Sequence, residues 1–243
     1  MGIAKHIPNT ITLLNLLSGC MSILFFSQGE ILLASYAIFL AAAFDFMDGL
    51  AARVLKAYSN IGRELDSLAD VVSFGVAPAF ILYYLILHSH GRQSVMIGQV
   101  DLVPLSAFIL PLFAALRLAK FNVDDRQTEN FLGLPTPAAG LLIASLPLIK
   151  DQLYESQSLT YMVFTNTYFY LGTIFLLSIL MITELPLFGL KFKSYGLKGN
   201  EIRYIFLTSS LILLVFFQFL AIPYIVLIYL FLSLIVHLSD LTN

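Results

Sequence analysis

Long apolar runs alternate along the whole chain with short polar or charged breaks. The runs have the length of membrane-crossing helices rather than of strands or surface helices. Reading from break to break gives eight of them, at roughly 11–28, 31–55, 65–88, 102–121, 136–150, 168–187, 204–220 and 223–238. The fifth is short for a crossing unless its ends reach into the flanking breaks. Tyr204 to Val236 is the extreme case: it contains no Asp, Glu, Lys or Arg, and it is long enough for a hairpin of two spans of roughly 17–20 residues each. The breaks at 89–101, 122–135 and 151–167 read as loops, and no internal repeat or linker divides the chain. The expected fold is an all-α, polytopic membrane helix bundle of about eight transmembrane helices, with 1–243 as a single domain.

Composition excludes a soluble protein. Only 12% of the 243 residues are charged and 59% are hydrophobic, against roughly 25% charged in a soluble domain. The distribution of the 13 lysines and arginines sets an orientation. With the N-terminus in the cytoplasm and eight crossings, Lys5, Arg53, Lys56, Arg63, Arg117, Lys120, Arg126, Lys191, Lys193, Lys198 and Arg203 all fall on the cytoplasmic side. Only Arg92 and Lys150 fall outside. Both termini are therefore expected in the cytoplasm, in a cytoplasmic (inner) membrane. The net charge of −2 says nothing about partners, and no nucleic-acid partner is expected. Cys20, the sole cysteine, reads as a small core residue. The first span lacks a small-residue cleavage site and carries polar Asn and Thr, so it reads as a retained helix rather than a signal peptide.

Against this background the stretch from Asp45 to Asp70 stands out. Asp45 and Asp48 are three apart, Asp66 and Asp70 four apart, so on helices each pair shares a face. The turn between Arg53 and Gly62 is short enough to make the two helices neighbours. Four carboxylates gathered in a membrane repel one another unless cations hold them together. Hard divalent cations with oxygen ligands, Mg²⁺ or Mn²⁺, suit such a set. A transporter using intramembrane carboxylates as an ion relay is the competing class.

The spacing Asp45-x-x-Asp48-Gly49-x-x-Ala52-Arg53, eight residues, Gly62-x-x-x-Asp66-x-x-x-Asp70 resembles the signature of the CDP-alcohol phosphotransferase family at all eight defining positions. The resemblance implies a membrane enzyme with a six-helix core, here with two further spans. Such enzymes move a phosphatidyl or related group from a CDP-linked donor onto an alcohol and release CMP. It also implies two divalent cations per site, Mg²⁺ or Mn²⁺, held by Asp45, Asp48, Asp66 and Asp70, with Asp70 the candidate general base. The CDP group would be held by Asn9, Thr12, Asp48, Gly49, Ala52, Arg53, Gly62 and Asp66. A homodimer surrounded by membrane lipids is the expected assembly.

Three further stretches are similar to the bacterial, membrane-embedded branch of the family that accepts serine. They are Pro8-Asn9-Thr10-Ile11-Thr12 with Asn15, Asp66 through Pro78 with Ser73 and Gly75, and Ala115 through Asn122 followed by Gly133-Leu-Pro135-Thr-Pro137. They imply CDP-diacylglycerol and L-serine as substrates. Lys120 stands where that branch more often carries arginine. Glycerol 3-phosphate, inositol or choline as acceptor remain alternatives. Arg117 lies inside an apolar run, where an arginine usually has a carboxylate or phosphate partner. Arg117, Asn122 and Ser73 are the candidates for the acceptor or the lipid phosphate, with snorkelling to the interface the other use of Arg117. Glu184, His88, His90 and His237 have no ligand-like spacing and are assigned nothing.

Overall fold

Helical rods occupy all eight places where apolar runs lie. The computed structural model describes residues 6–124, 131–189, 196 and 200–241. Helices α1 (His6–Ser27) and α2 (Ile31–Val54) form a hairpin, and Gly29 at its turn adopts a φ of 82°, which glycine takes without strain. Helix α3 (Asn60–Asp70) continues through a π-helical turn (Val71–Val76) into α4 (Ala77–Leu87) as one rod. A small antiparallel pair, β1 (Met96–Ile97) and β2 (Val100–Asp101), leads into α5 (Leu102–Leu105). A 3₁₀ turn then joins α5 to α6 (Ile109–Val123). The remaining elements are β3 (Phe131–Leu132), α7 (Thr136–Leu153), α8 (Leu159–Phe164), α9 (Thr167–Ile182), β4 (Pro186–Leu187), α10 (Glu201–Phe217) and α11 (Ala221–Leu241).

Among the described residues, five stretches are both long and apolar enough to cross a membrane: 6–27, 31–54, 60–87, 102–123 and 201–238. The last is a double segment, broken at Gln218, whose φ of 51° no continuous helix accommodates. The chain is thus a polytopic helical membrane protein. The third rod begins at Asn60 rather than 65 because the Ser59 hydroxyl accepts from the Gly62 amide and caps it. The sixth ends at Ile182 rather than 187, since Thr183 is already extended and Pro186 follows. The break at 151–167 is not plain loop: it holds α8, capped by the Ser158 hydroxyl on the Tyr161 amide. Lys5, Arg126, Lys191, Lys193, Lys198 and the chain termini, on which part of the orientation argument rests, lie outside the described residues.

Helix α1 is packed inside out relative to a helix of a soluble bundle. The buried stripe of α1 is Thr12, Asn15, Ser18, Gly19 and Ser22, while Leu13, Leu14, Leu17 and Leu24 face outward. Lipid is as apolar as leucine, so nothing drives large side chains inward, and small residues win by letting backbones approach. A Cβ on Gly19 would lie 2.8 Å from the Ser73 Cα, and one on Gly140 would lie 2.9 Å from the Phe74 Cα. The α3–α4 rod is therefore clamped from both sides. Cys20, expected in the core, is exposed instead, because Ser18, Gly19 and Ser22 occupy the inward positions around it.

The main core gathers Phe74, Ile81, Leu110, Ile143 and Tyr170 from four rods, with Ile38 of α2 against them. Helix α11 reaches this core through Val226, and α10 and α11 share with β4 a smaller cluster of Leu187, Phe188, Phe206 and Tyr229. Helix α7 extends to Leu153, and its 18 residues span about 27 Å, close to the hydrocarbon thickness. Its head is fixed to the end of α9. The Gly133 amide donates to the Leu185 carbonyl at 2.9 Å and the Leu134 amide to the Leu180 carbonyl at 2.8 Å. Gly133 does this at φ 74°, with three carbonyl oxygens within 3.0 Å of where a Cβ would sit, so no other residue fits.

Candidate active site

The last turns of α2 and the first of α3 face each other across the five-residue link 55–59. Asp45 and Asp48 come from α2 and Asp66 from α3, each offering a carboxylate oxygen within 4.8 Å of the others. Asp48 is 6% exposed. Its Oδ2, like Oδ1 of Asp66, is buried without a hydrogen-bond partner. Converging carboxylate oxygens, two of them without a hydrogen-bond partner, suit a hard divalent cation. No nitrogen or sulfur ligand belongs to the set, which argues against zinc or copper.

Asp48 and Asp66 of the cluster form part of the wall of an open cavity of about 660 Å³. Asn9, Thr12, Asp48, Gly49, Ala52, Arg53, Gly62 and Asp66, the whole expected CDP-binding set, line it. Nothing lies within 4 Å of where a Gly49 Cβ would be, so that glycine keeps the cavity open beside Asp48. A Cβ on Gly62 would lie 2.9 Å from both Asn9 Oδ1 and Ser59 Oγ, so glycine here lets α1 approach the head of α3. Arg53 does not turn back to an aspartate; its Nε donates to the Gly49 carbonyl at 3.0 Å. Tyr58, Ser59 and Phe121 also line the cavity. Sequence reading missed them because they stand outside the motif. Along α2 the inward Asp45 and Asp48 alternate with Phe46, Met47 and Leu50, which are 67%, 48% and 46% exposed.

Asp70 lies one turn beyond Asp66 and outside the trio. It is 6% exposed, and its Oδ1 accepts from Asn15 Nδ2 at 3.2 Å. Ser73 Oγ donates to the Asn15 carbonyl at 3.0 Å. Ser73 is fully buried against Gly19, in the contact between α1 and the π-helical turn, and lines neither cavity described here.

Arg117 is 7% exposed and borders a second cavity of about 320 Å³, together with Lys120, Phe121, Leu132 and Glu184. Its Nη1 donates to Thr136 Oγ1 over a long 3.4 Å, its guanidinium lies 5.7 Å from the Phe121 ring centre, and its Nε has no partner. Phe121 borders both cavities and so forms the partition between them. Asn122 points elsewhere: its Nδ2 donates to Ser67 Oγ at 3.0 Å and to Glu64 Oε2 at 3.2 Å, tying α6 to α3. These bonds account for a polar side chain at 122 without a substrate.

Residues 5–188 match the sequence profile of CDP-alcohol phosphatidyltransferases. The chain belongs to that family. CDP-alcohol phosphatidyltransferases are enzymes of phospholipid synthesis, and their dependence on divalent cations agrees with the Asp45, Asp48 and Asp66 cluster. Among curated proteins, the chain is similar to the CDP-diacylglycerol–serine O-phosphatidyltransferase of Helicobacter pylori strain J99. The two are 31% identical over 203 residues, covering 83% of this chain and 79% of that protein. It is also similar to the proteins of the same name in Bacillus subtilis and Methanocaldococcus jannaschii. Each is 38% identical, over 58% and 62% of this chain and over 75% and 65% of those proteins.

Proposed function

We propose that this CDP-alcohol phosphatidyltransferase moves the phosphatidyl group of CDP-diacylglycerol onto the hydroxyl of L-serine, giving phosphatidylserine and CMP. The observation that carries the reading is the convergence of three carboxylates beside a cavity that is lined by the whole expected CDP-binding set and is large enough for a cytidine diphosphate headgroup. The names of the relatives support serine as acceptor. Asp45, Asp48 and Asp66 would hold Mg²⁺ or Mn²⁺, with Asp70 beside a second ion. Bound cations supply positive charge to the diphosphate and to the departing CMP. The protein's own groups do the rest. Asn9, Thr12, Gly49, Ala52, Arg53 and Gly62 shape the donor cavity. Asp70 takes the proton from the serine hydroxyl as its oxygen bonds to the lipid phosphorus and the bond to the CMP oxygen breaks. Arg117 faces the serine carboxylate.

Purified protein with CDP-diacylglycerol, either cation, and L-serine, glycerol 3-phosphate, inositol or choline tests the whole reading. CMP should appear only with the lipid donor, a cation and serine together, and the product should have the mass of phosphatidylserine. CMP released with another alcohol would move the acceptor, and none under any condition would remove the enzyme reading.

Arg53, Lys56 and Arg63 beside the cavity support a cytoplasmic orientation for it. In a background lacking Cys20, Tyr58→Cys should label only with reagents that reach the cytoplasm, and Val95→Cys only from outside. Both positions are exposed, so access is set by the membrane alone. Labelling of position 58 from the outer face would invert the protein and the active site with it.

A further inference from the structure

We infer that Asn15 is a positioning residue for Asp70, fixing the orientation in which that carboxylate meets the acceptor hydroxyl. The inference rests on Asp70 being the base. Asn15 has no exposed surface, yet it carries an amide in the middle of an apolar helix. A buried amide is retained only where hydrogen bonds repay its desolvation. Its Nδ2 donates to Asp70 Oδ1, and its own main-chain carbonyl accepts from Ser73 Oγ. Residue 15 is thus gripped from both ends of the segment 70–73, where the α-helix gives way to the π-helical turn. Wide turns of this kind re-aim side chains and are frequent at functional sites.

The choice of amide has a chemical reason. An amide N–H fixes one carboxylate oxygen by a single directional bond and adds no charge beside it. Asn15 Oδ1 is buried without a hydrogen-bond partner, so the side chain's bonding is directed to Asp70 through Nδ2.

Asn15→Leu and Asn15→Ala test this, with Ser22→Ala as control. Ser22 Oγ makes another buried bond from α1, to the Ala34 carbonyl at 2.8 Å, well away from the aspartates. A misplaced base should lower kcat on the order of 10- to 100-fold. KM for CDP-diacylglycerol and serine and the affinity for Mn²⁺ should stay within about twofold of the parent, and thermal stability in detergent should fall no further than in Ser22→Ala. Unchanged kcat would overturn the inference. So would a parallel loss of stability, donor KM and Mn²⁺ affinity in both Asn15 variants, which would make Asn15 a packing residue. A rise confined to the serine KM would make it an acceptor contact instead. Asp70→Asn, measured alongside, separates the two levels: if it retained turnover, the base assignment itself would fall, whatever Asn15 did.

Discussion

Asn in place of Asp48 or Asp66 should abolish turnover while leaving the protein folded, and should make the metal-free protein more stable. The loss of activity follows from the role of the carboxylates. Removing one preorganised charge-stabilising group from a site of this type lowers kcat by at least about 10²–10³-fold. The gain in stability follows from their placement. Three carboxylate oxygens within 4.8 Å of one another repel in the absence of a cation, and one such contact at about 4 Å is worth up to a few kcal/mol in a partly shielded site. Asparagine keeps the volume and one acceptor oxygen but discards the charge. The sign is therefore opposite to that of an ordinary buried-residue replacement, which destabilises. Thermal unfolding with and without Mn²⁺ reads both effects. The parent should be stabilised strongly by the cation, the Asn variants weakly, from a higher starting point. A variant that kept near-parent turnover at low Mn²⁺ or Mg²⁺ would take its residue out of the metal set.

Arg117→Ala should raise the KM for serine by about tenfold or more and leave that for CDP-diacylglycerol nearly unchanged. Arg117 borders the smaller cavity, separated by Phe121 from the one that holds the CDP-binding set. Its present bonds do not use it up. One long contact to Thr136 and an unpartnered Nε leave a guanidinium edge available to a carboxylate. Stripping one partner from a desolvated charge pair costs on the order of 2–5 kcal/mol, because the other charge is left alone. Arg117→Lys should fall between, since lysine supplies the charge but not the planar fork. A loss that appeared in the donor KM would assign Arg117 to the lipid phosphate, and serine specificity would lose its structural basis in this residue.

The rods were legible because charged and turn-forming residues cut the apolar runs cleanly, and no soluble core competes for them. The trio of aspartates was legible because three- and four-residue spacings on two helices joined by a short link leave few ways to avoid meeting. Cys20 was not, since apolar character does not say which face of a helix points inward when both sides are apolar. The π-helical turn was hidden for a related reason: Val71 to Val76 reads as ordinary membrane helix, and its wider turn shows only where α1, α6 and α7 pack against it. The bonds of Asn122 were hidden as well: its partners Ser67 and Glu64 lie 55 and 58 residues away in sequence. The partnership of Asn15 with Asp70, also 55 residues apart, was out of reach in the same way.

Phe46, Met47 and Leu50 stand outward in the turns of α2 that hold Asp45 and Asp48 inward. A donor lipid can therefore place its diphosphate among the carboxylates while its chains stay against that outer face and never leave the hydrocarbon. Encounter with the enzyme becomes a search in two dimensions. What saturates the site is then the mole fraction of donor in the surrounding membrane or micelle, and not its amount per litre of suspension. Serine arrives from water and obeys ordinary bulk concentration. The two substrates of a single bond-forming step are thus delivered by different phases, and crowding the bilayer with other lipids slows the supply of only one of them.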